Sequence, residues 1–292
     1  MARGIDHIVH AVRDLDAAAA LYRAFGFQVG ARNRHPPAWG TQNHIVQMPG
    51  TFIELLTVAD TSQIAPHAPN FFSFGAFNRD FLARGEGLAM LVLEGRGAAD
   101  RDEFRQAGIG NFELYEFERE AKRPDGTPIK VAFALAYAAS PEIPQIGFFT
   151  CQHRHPENFW NPAFQVHPNS AASVAGVVLV GEKPAKVSGF LSAFTGEEAV
   201  QTTGTGIAVK TPRGDIEVMD PASFEREFGE APPDTSASPR LAAVRFSVRD
   251  LGATSALLQR TRVDTRQHGK NRVVGPQAAM GATLVFELFR GG

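Results

Sequence analysis

Two residues of this 292-residue chain combine a chemically capable side chain with an unusual setting. His7 stands inside the apolar run Ile5-Asp6-His7-Ile8-Val9, and Glu54 inside Phe52-Ile53-Glu54-Leu55-Leu56. An unpaired carboxylate within an apolar strand is costly to bury, so Glu54 should face a metal, a cation or solvent. Imidazole and carboxylate together suit a divalent metal such as Zn, Fe, Mn, Ni or Co. A metal held with open positions would act as a Lewis acid toward a bidentate substrate or stabilise an enediolate. The blander alternative for His7 is a core histidine satisfied by hydrogen bonds. His10, three residues on in the same strand, points to the opposite face and reads as structural.

These residues need a scaffold, and the flanking sequence supplies one. Ile5 to Val12 reads as a strand rich in β-branched residues. Asp14 is a fitting N-cap for a helix from Leu15 to Phe25, with Leu15, Ala18, Tyr22 and Phe25 on one face and Gly26 as its stop. Phe27 to Val29 reads as a second strand. Residues 34–41, with Pro36 and Pro37, read as a loop. Asn43 to Met48 and Thr51 to Val58 read as strands joined by a turn at Pro49-Gly50. The order is β-α-β-β-β.

The unit recurs. Val12-Arg13-Asp14-Leu15 returns as Val248-Arg249-Asp250-Leu251, and the closing strand returns as Ile216-Glu217-Val218 and Phe286-Glu287-Leu288. The expected fold is α+β: four βαβββ modules forming two cupped, barrel-like mixed sheets with helices packed outside. An N-terminal pair (1–59 and 88–152, residues 1–165 overall) carries a helical insert at 60–87. A C-terminal pair (173–220 and 240–290) occupies 166–292. In the insert, Phe71 to Arg84 holds five phenylalanines and reads as a helix on the sheet or over a ligand cavity. In the second unit, a helix from Ala98 to Ala107 precedes strands at Phe112 to Glu118, Ile129 to Ala136 and Ile146 to Gln152. Pro124-Asp125-Gly126 turns between the first two. Residues 153–172 and Pro221 to Pro239 read as irregular connectors.

Composition removes several function classes. A formal net charge of −2 gives no electrostatic case for nucleic acid or an anionic membrane. The apolar runs are of strand length, short of the roughly 20 residues that a membrane span needs. Met1-Ala2-Arg3-Gly4 runs into a strand without a signal-peptide pattern. The single Cys151 excludes an intrachain disulfide framework, and a cytoplasmic location is expected. No Walker A, Rossmann glycine or Gly-x-Ser-x-Gly pattern stands in a fitting context.

In these features the chain resembles the vicinal oxygen chelate superfamily and, within it, the glyoxalase-like domain proteins. The resemblance rests on Ile5-Asp6-His7-Ile8-Val9, the helix from Asp14 to Phe25, Gly40-Thr41-Gln42-Asn43, Phe52-Ile53-Glu54-Leu55, and Cys151-Gln152-His153 with His167-Pro168-Asn169. It implies a cupped sheet in which a divalent metal is chelated by a small oxygenated substrate. Isomerases, extradiol dioxygenases, epimerases, thiol transferases and metal-free drug-binding proteins share that fold. It places metal ligands at His7 and Glu54, in the first and last strands of a module. The other modules offer about Met90, Gly176 or Val177, and Ala243 at the position of His7. A third ligand could come from Gln152 or His153, of which only one can face inward, or from Glu287 if the first and fourth modules pair; adjacent modules commonly share a cavity, which favours Gln152 or His153. Glu54 and Glu287 are the candidate catalytic carboxylates, the second as general base. Asn43, Trp39, His167 and Asn169 are candidate substrate contacts. Arg32, Arg34, His35 and Trp39 would suit an anionic group at the cavity mouth, or else form a solvated loop. Cys151 has apolar flanks that argue against a nucleophile. Two functions follow: a metal-dependent lyase, isomerase or dioxygenase, or a metal-free protein that sequesters a small molecule. A small-molecule substrate is the expected partner, and homodimer formation is left open.

Overall fold

The computed structural model describes residues 1–122 and 126–289. The first half of the chain runs β1 (Ile5–Ala11), α1 (Leu15–Ala24), β2 (Asn33–Arg34), β3 (Thr41–Met48), β4 (Thr51–Val58) and α2 (Phe74–Arg84). It continues with β5 (Gly87–Glu94), α3 (Ala98–Gln106), β6 (Tyr115–Lys122), β7 (Pro128–Ala138) and β8 (Gly147–His153). A connector holding α4 (Pro156–Phe159) leads to β9 (Ala171–Val180), α5 (Ser188–Thr195), β10 (Val200–Thr203), β11 (Gly206–Lys210), β12 (Asp215–Met219) and α6 (Pro221–Phe228). The last unit is β13 (Arg240–Val248), α7 (Leu251–Arg260), β14 (Arg266–His268), β15 (Asn271–Val274) and β16 (Thr283–Leu288). Helices surround two eight-stranded mixed sheets, one of them curled into a half-barrel. Their orders are β2-β3-β4-β1-β5-β8-β7-β6 and β10-β11-β12-β9-β13-β16-β15-β14.

Each sheet is therefore two βαβββ modules joined back to back. β1 runs parallel to β4 and antiparallel to β5, and β5 runs parallel to β8. The second sheet repeats this with β9, β12, β13 and β16. The first module thus pairs with the second, and the third with the fourth. The seven residues of β1 are all buried because packed layers cover both faces of this central strand, which is why its sequence does not alternate.

The helices begin where capping chemistry allows. The Asp14 carboxylate accepts from Ala17 N–H, and Asp250 from Ala253 N–H in the matching helix α7. Helices α1, α3, α5 and α7 pack between the sheets, where Tyr22, Phe104, Phe194 and Leu258 join Ile8, Phe148, Val177 and Phe246 in one core. Each sheet's other face, its inner face, has a core of its own. In the first sheet α2 covers it with Phe74, Phe77 and Phe81. In the second α6 packs Phe224 and Phe228 against it.

Several local expectations need correction. No strand forms at Phe27 to Val29; the short edge strand is Asn33–Arg34, because Phe27 turns into the core instead. Residues 34–41 are not a uniform loop: Arg34 ends β2, and Pro37–Trp39 form a 3-10 turn with proline in its first positions. β6 begins three residues later than expected, at Tyr115. Pro221 to Phe228 is a helix rather than linker, since Asp220 caps it and Pro221 occupies the first turn, where its missing N–H costs nothing. Pro124 and Asp125 of the expected hairpin turn lie outside the described residues.

Candidate functional site

Strand register creates a pocket in the first sheet. Glu54 lies opposite Val9 and His7 opposite Phe52, so the two side chains sit one pleat apart on the inner face. β3 adds Asn43 beside them, and the chain after β2 brings in His35. β6, β7 and β8 close the far side with Phe117, Arg119, Phe133, Leu135, Phe149 and Cys151, while Trp39 and Phe74 stack across the top at 4.3 Å. The register of β1 against β5 slips between Ile5 and His7. That bulge puts Asp6 next to the His7 ring instead of on the opposite face.

The polar groups form an alternating chain. His153 Nε2 lies 3.1 Å from Asp6 Oδ2, and His7 Nδ1–H donates to Asp6 Oδ1 at 2.6 Å. His7 Nε2 then faces Glu54 Oε2 at 3.8 Å, and His35 Nε2 faces Glu54 Oε1 at 3.4 Å. Asn43 Nδ2 donates to the same Oε1 at 2.5 Å. His35 Nδ1 is held 2.8 Å from Thr41 Oγ1. Both imidazoles flanking Glu54 therefore have Nδ1 anchored by the protein and Nε2 aimed at one carboxylate. The His7 ring is also fixed by a stack on Phe52, with centroids 4.2 Å apart.

Burial shapes the charges. Desolvation alone would raise the Asp6 carboxyl, but the adjacent His153 and His7 outweigh it and hold its pKa at about 2. Burial lowers the His35 pKa; Glu54 opposes this, while Arg119 and His7 add to it. Burial pushes the Cys151 thiol well above its usual range, which leaves it a weak nucleophile at neutral pH.

The pocket brings together four of the sequence-derived site residues: His7, Glu54, Asn43 and Trp39. His153 lies against Asp6 at its edge. Gln152 points the other way, toward Gly97, so His153 is the inward member of that pair. Glu287 is not near Glu54. It lies in the second sheet, where Arg245 Nε donates to it at 3.2 Å, so the two proposed catalytic carboxylates occupy separate cups. His167 and Asn169 also lie outside the pocket. His167 uses both ring nitrogens on Gln28 N–H and Gln47 O, and Asn169 binds Phe25 O and Ala171 N–H. These two tie the connector to the core and present no free polar atom to a substrate. His10 binds Tyr22 Oη and Met280 O on the outer face.

Three pocket-side residues were not among the sequence-derived ligands or catalysts: His35, Asp6 and Arg119. Asp6 had a signal, since it neighbours His7. His35 appeared only as one member of a loop cluster. Arg119 carried a weaker signal, the alternation Tyr-Glu-Phe-Glu-Arg-Glu that turns it to the same face as Phe117.

Two donor sets are available to a metal. His7, Glu54 and His35 offer two imidazole nitrogens and a carboxylate, each imidazole steered through its other nitrogen as metal-bound histidines commonly are. His7 Nε2 and His35 Nε2 face different oxygens of Glu54, at 3.8 and 3.4 Å, so this set would have to draw together to share one ion. Asp6, Cys151 and His153 form a tighter cluster, with ligand atoms within 4.8 Å of one another. That cluster is the one such group of three among the described residues, yet there Asp6 is already engaged by both histidines and Cys151 holds its proton.

Paired βαβββ modules are the architecture that the resemblance to the vicinal oxygen chelate superfamily implied, and both sheets have it. The chain belongs to the glyoxalase-like domain family, whose model matches residues 5–195, nearly two thirds of its length. Among solved structures, a hypothetical protein from Staphylococcus aureus aligns over 98% of this chain and 100% of its own, at 13% identity and a TM-score of 0.68. A mutant of 4-hydroxymandelate synthase from Streptomyces coelicolor aligns over 100% of this chain and 95% of its own, at 12% identity and a TM-score of 0.55. At such identities the likeness speaks for the fold. No curated protein matched the sequence.

Proposed function

We propose that the first sheet's cup is a metal-dependent catalytic site for a small oxygenated organic molecule, with His7, Glu54 and His35 as the protein ligands. The observation that carries this reading is the pair of imidazoles whose Nε2 atoms converge on one buried carboxylate. A bound divalent ion would supply Lewis acidity toward substrate oxygens. The chain's own residues do the positioning. Asp6 holds the His7 ring through Nδ1, Thr41 holds His35, and Asn43 fixes Glu54 Oε1. The rings of Trp39, Phe74, Phe133 and Phe149 exclude water from the cup and strengthen every polar interaction inside it. Asp6, ionised between two histidines, favours a proton on His7 Nδ1 and keeps Nε2 free as a donor atom. The reaction class within lyase, isomerase or dioxygenase chemistry depends on the substrate.

A specific observation favours a second reading. About the β1–β5 dyad, the counterparts of His7 and Glu54 in the second module are Met90 and Phe149. Half of a four-ligand site is therefore apolar, as a metal-free sequestering protein would have it. Metal analysis of protein purified without a histidine tag separates the two. The catalytic reading expects about one equivalent of Mn, Fe, Co, Ni or Zn per chain, with binding lost in His7→Ala and weakened in His35→Ala. Wild-type protein that binds no more metal than Glu54→Ala would leave only the sequestering reading.

A further inference from the structure

β6 is the edge strand of the first sheet, and its two faces differ in charge. Glu116, Glu118 and Glu120 alternate outward, where Arg154 pairs with Glu116 and Lys130 with Glu118. Tyr115, Phe117 and Arg119 alternate inward, and Arg119 lines the cup beside Phe117 and Phe133. The pleat therefore keeps Arg119 away from the nearest acids. Among the described residues no carboxylate lies within ion-pair distance of its guanidinium, although the residue is partly buried and desolvation lowers its pKa. Its charge is nonetheless felt at His35, on the Glu54 side of the same cup. The cup thus has a metal-capable polar floor, apolar ring walls and one uncompensated cation.

We propose that Arg119 is the recognition residue for a carboxylate, and that the cup's ligand is a small monoanionic acid with an apolar body. The choice among anions follows from the lining. A planar guanidinium matches a carboxylate in two parallel hydrogen bonds. Among the described residues lining the pocket Arg119 is the only Lys or Arg, which suits one negative charge better than a phosphate dianion. The cavity volume of about 60 Å³ is room for a handful of waters, so the enclosed part of the ligand is of comparable size. The rings of Trp39, Phe74, Phe133 and Phe149 supply the apolar contact. This inference takes from the proposed function only the statement that the cup is the ligand site; it does not require the metal. The competing role for an inward charge on an edge strand is to prevent edge-to-edge pairing, which needs no ligand.

The test compares acids with their neutral amides, benzoate against benzamide and butyrate against butyramide. Binding is read from the fluorescence of Trp39 in the cup wall, on metal-loaded and on chelator-treated protein. The wild type is expected to prefer each acid by about tenfold or more, equivalent to about 1.4 kcal/mol, in both states. Arg119→Gln should remove the preference and leave amide binding unchanged; Arg119→Lys should keep part of it. Circular dichroism checks that the variants are folded. Equal binding of acid and amide by the wild type would overturn the proposal. So would Arg119→Gln binding acids like the wild type, or no acid binding below about 10 mM, a level at which even weak recognition is visible. An acid preference that needs metal and ignores Arg119 also overturns it, while leaving the metal site intact. An acid preference in protein that binds no metal sinks the metal reading alone.

Discussion

The two sheets share one plan, yet their cups hold opposite solutions to the same problem. Both place carboxylates on the inner face. In the second sheet Arg245 clamps them, pairing with Glu217 and with Glu287 at 3.2 Å, and all three groups are at most one quarter exposed. In the first sheet Glu54 has Asn43 and two imidazoles for company, and Arg119, the cation of that cup, forms no ion pair with it. In one cup an arginine is paired with the carboxylates; in the other the carboxylate has no arginine or lysine paired with it. Sites that bind ligands commonly keep such uncompensated groups at a cost to stability. The helices that follow β4 and β12 echo the difference. α6 packs Phe224 and Phe228 into its cup yet leaves a cavity of about 900 Å³ beside the Arg245 clamp, whereas α2 roofs a cavity of about 60 Å³ between Trp39 and Phe149.

The contrast can be broken by removing one group from each cup. Arg245→Leu should destabilise the protein by about 2–3 kcal/mol, because two half-buried carboxylates lose their partner. Glu54→Gln keeps the acceptor for Asn43 and removes a buried charge that forms no ion pair with a Lys or Arg, so it should cost less than about 1 kcal/mol or stabilise. Urea unfolding of both variants in chelator decides this. A Glu54→Gln penalty as large as that of Arg245→Leu would mean that Glu54 is structural and that the cups do not differ in kind.

The same comparison shows which parts of the molecule were legible in the sequence. The strands and first helix of module one follow from β-branched runs, the Asp14 cap and the Gly26 stop, which are local signals. His7 and Glu54 were legible because apolar flanks announce burial. Glu287 misled because a tripeptide carries no register. Glu54 lies opposite Val9, two residues after His7; Glu287 lies opposite Ser247, four residues after Ala243, which takes the place of His7 in the Val-Arg-Asp-Leu alignment. One pleat separates them, and only strand pairing reveals it. His35 was hidden by its proline-rich surroundings. Its burial comes from the turn at Pro37–Trp39 and from Phe74, which α2 brings over it from a distant segment. Arg119 was missed because the strand was expected to end at Glu118.

A second difference lies between the sheets. The repeat aligns His10 with Phe246, and both are fully buried. The first half thus carries a titratable group where the second has a ring. Burial lowers the His10 pKa from 6.5, against opposing contributions from Met280 O and Glu86. The unfolded chain then binds more protons than the folded one, so this part of the stability is complete above pH 6.5 and is lost as pH falls below it. The contribution is at most about 1.4 kcal/mol per pH unit for one histidine. Unfolding free energies from pH 7.5 to 5.5 should decline on the acid side in the wild type and decline less in His10→Gln. Equal slopes would place the acid sensitivity elsewhere, with His35 and His167 as the next buried histidines to replace.

The smallest expected effect tests whether divergence is confined to the cups. Asp14 and Asp250 cap α1 and α7 with the same geometry, 2.9 Å to Ala17 N and 2.8 Å to Ala253 N, and both are exposed. Each cap satisfies one backbone N–H that its helix cannot, which is worth about 1 kcal/mol. Asp14→Ala and Asp250→Ala should therefore cost about 1 kcal/mol each and agree within about half of that, the usual spread for such a site. Thermal unfolding with chelator present reads both without interference from a ligand. Matched losses would mean that the halves kept a common scaffold while their cups separated into one with clamped carboxylates and one with an unclamped carboxylate. A much larger loss at Asp14 would tie the first helix to the cup itself, because α1 packs against β3 and β4, which carry Asn43 and Glu54.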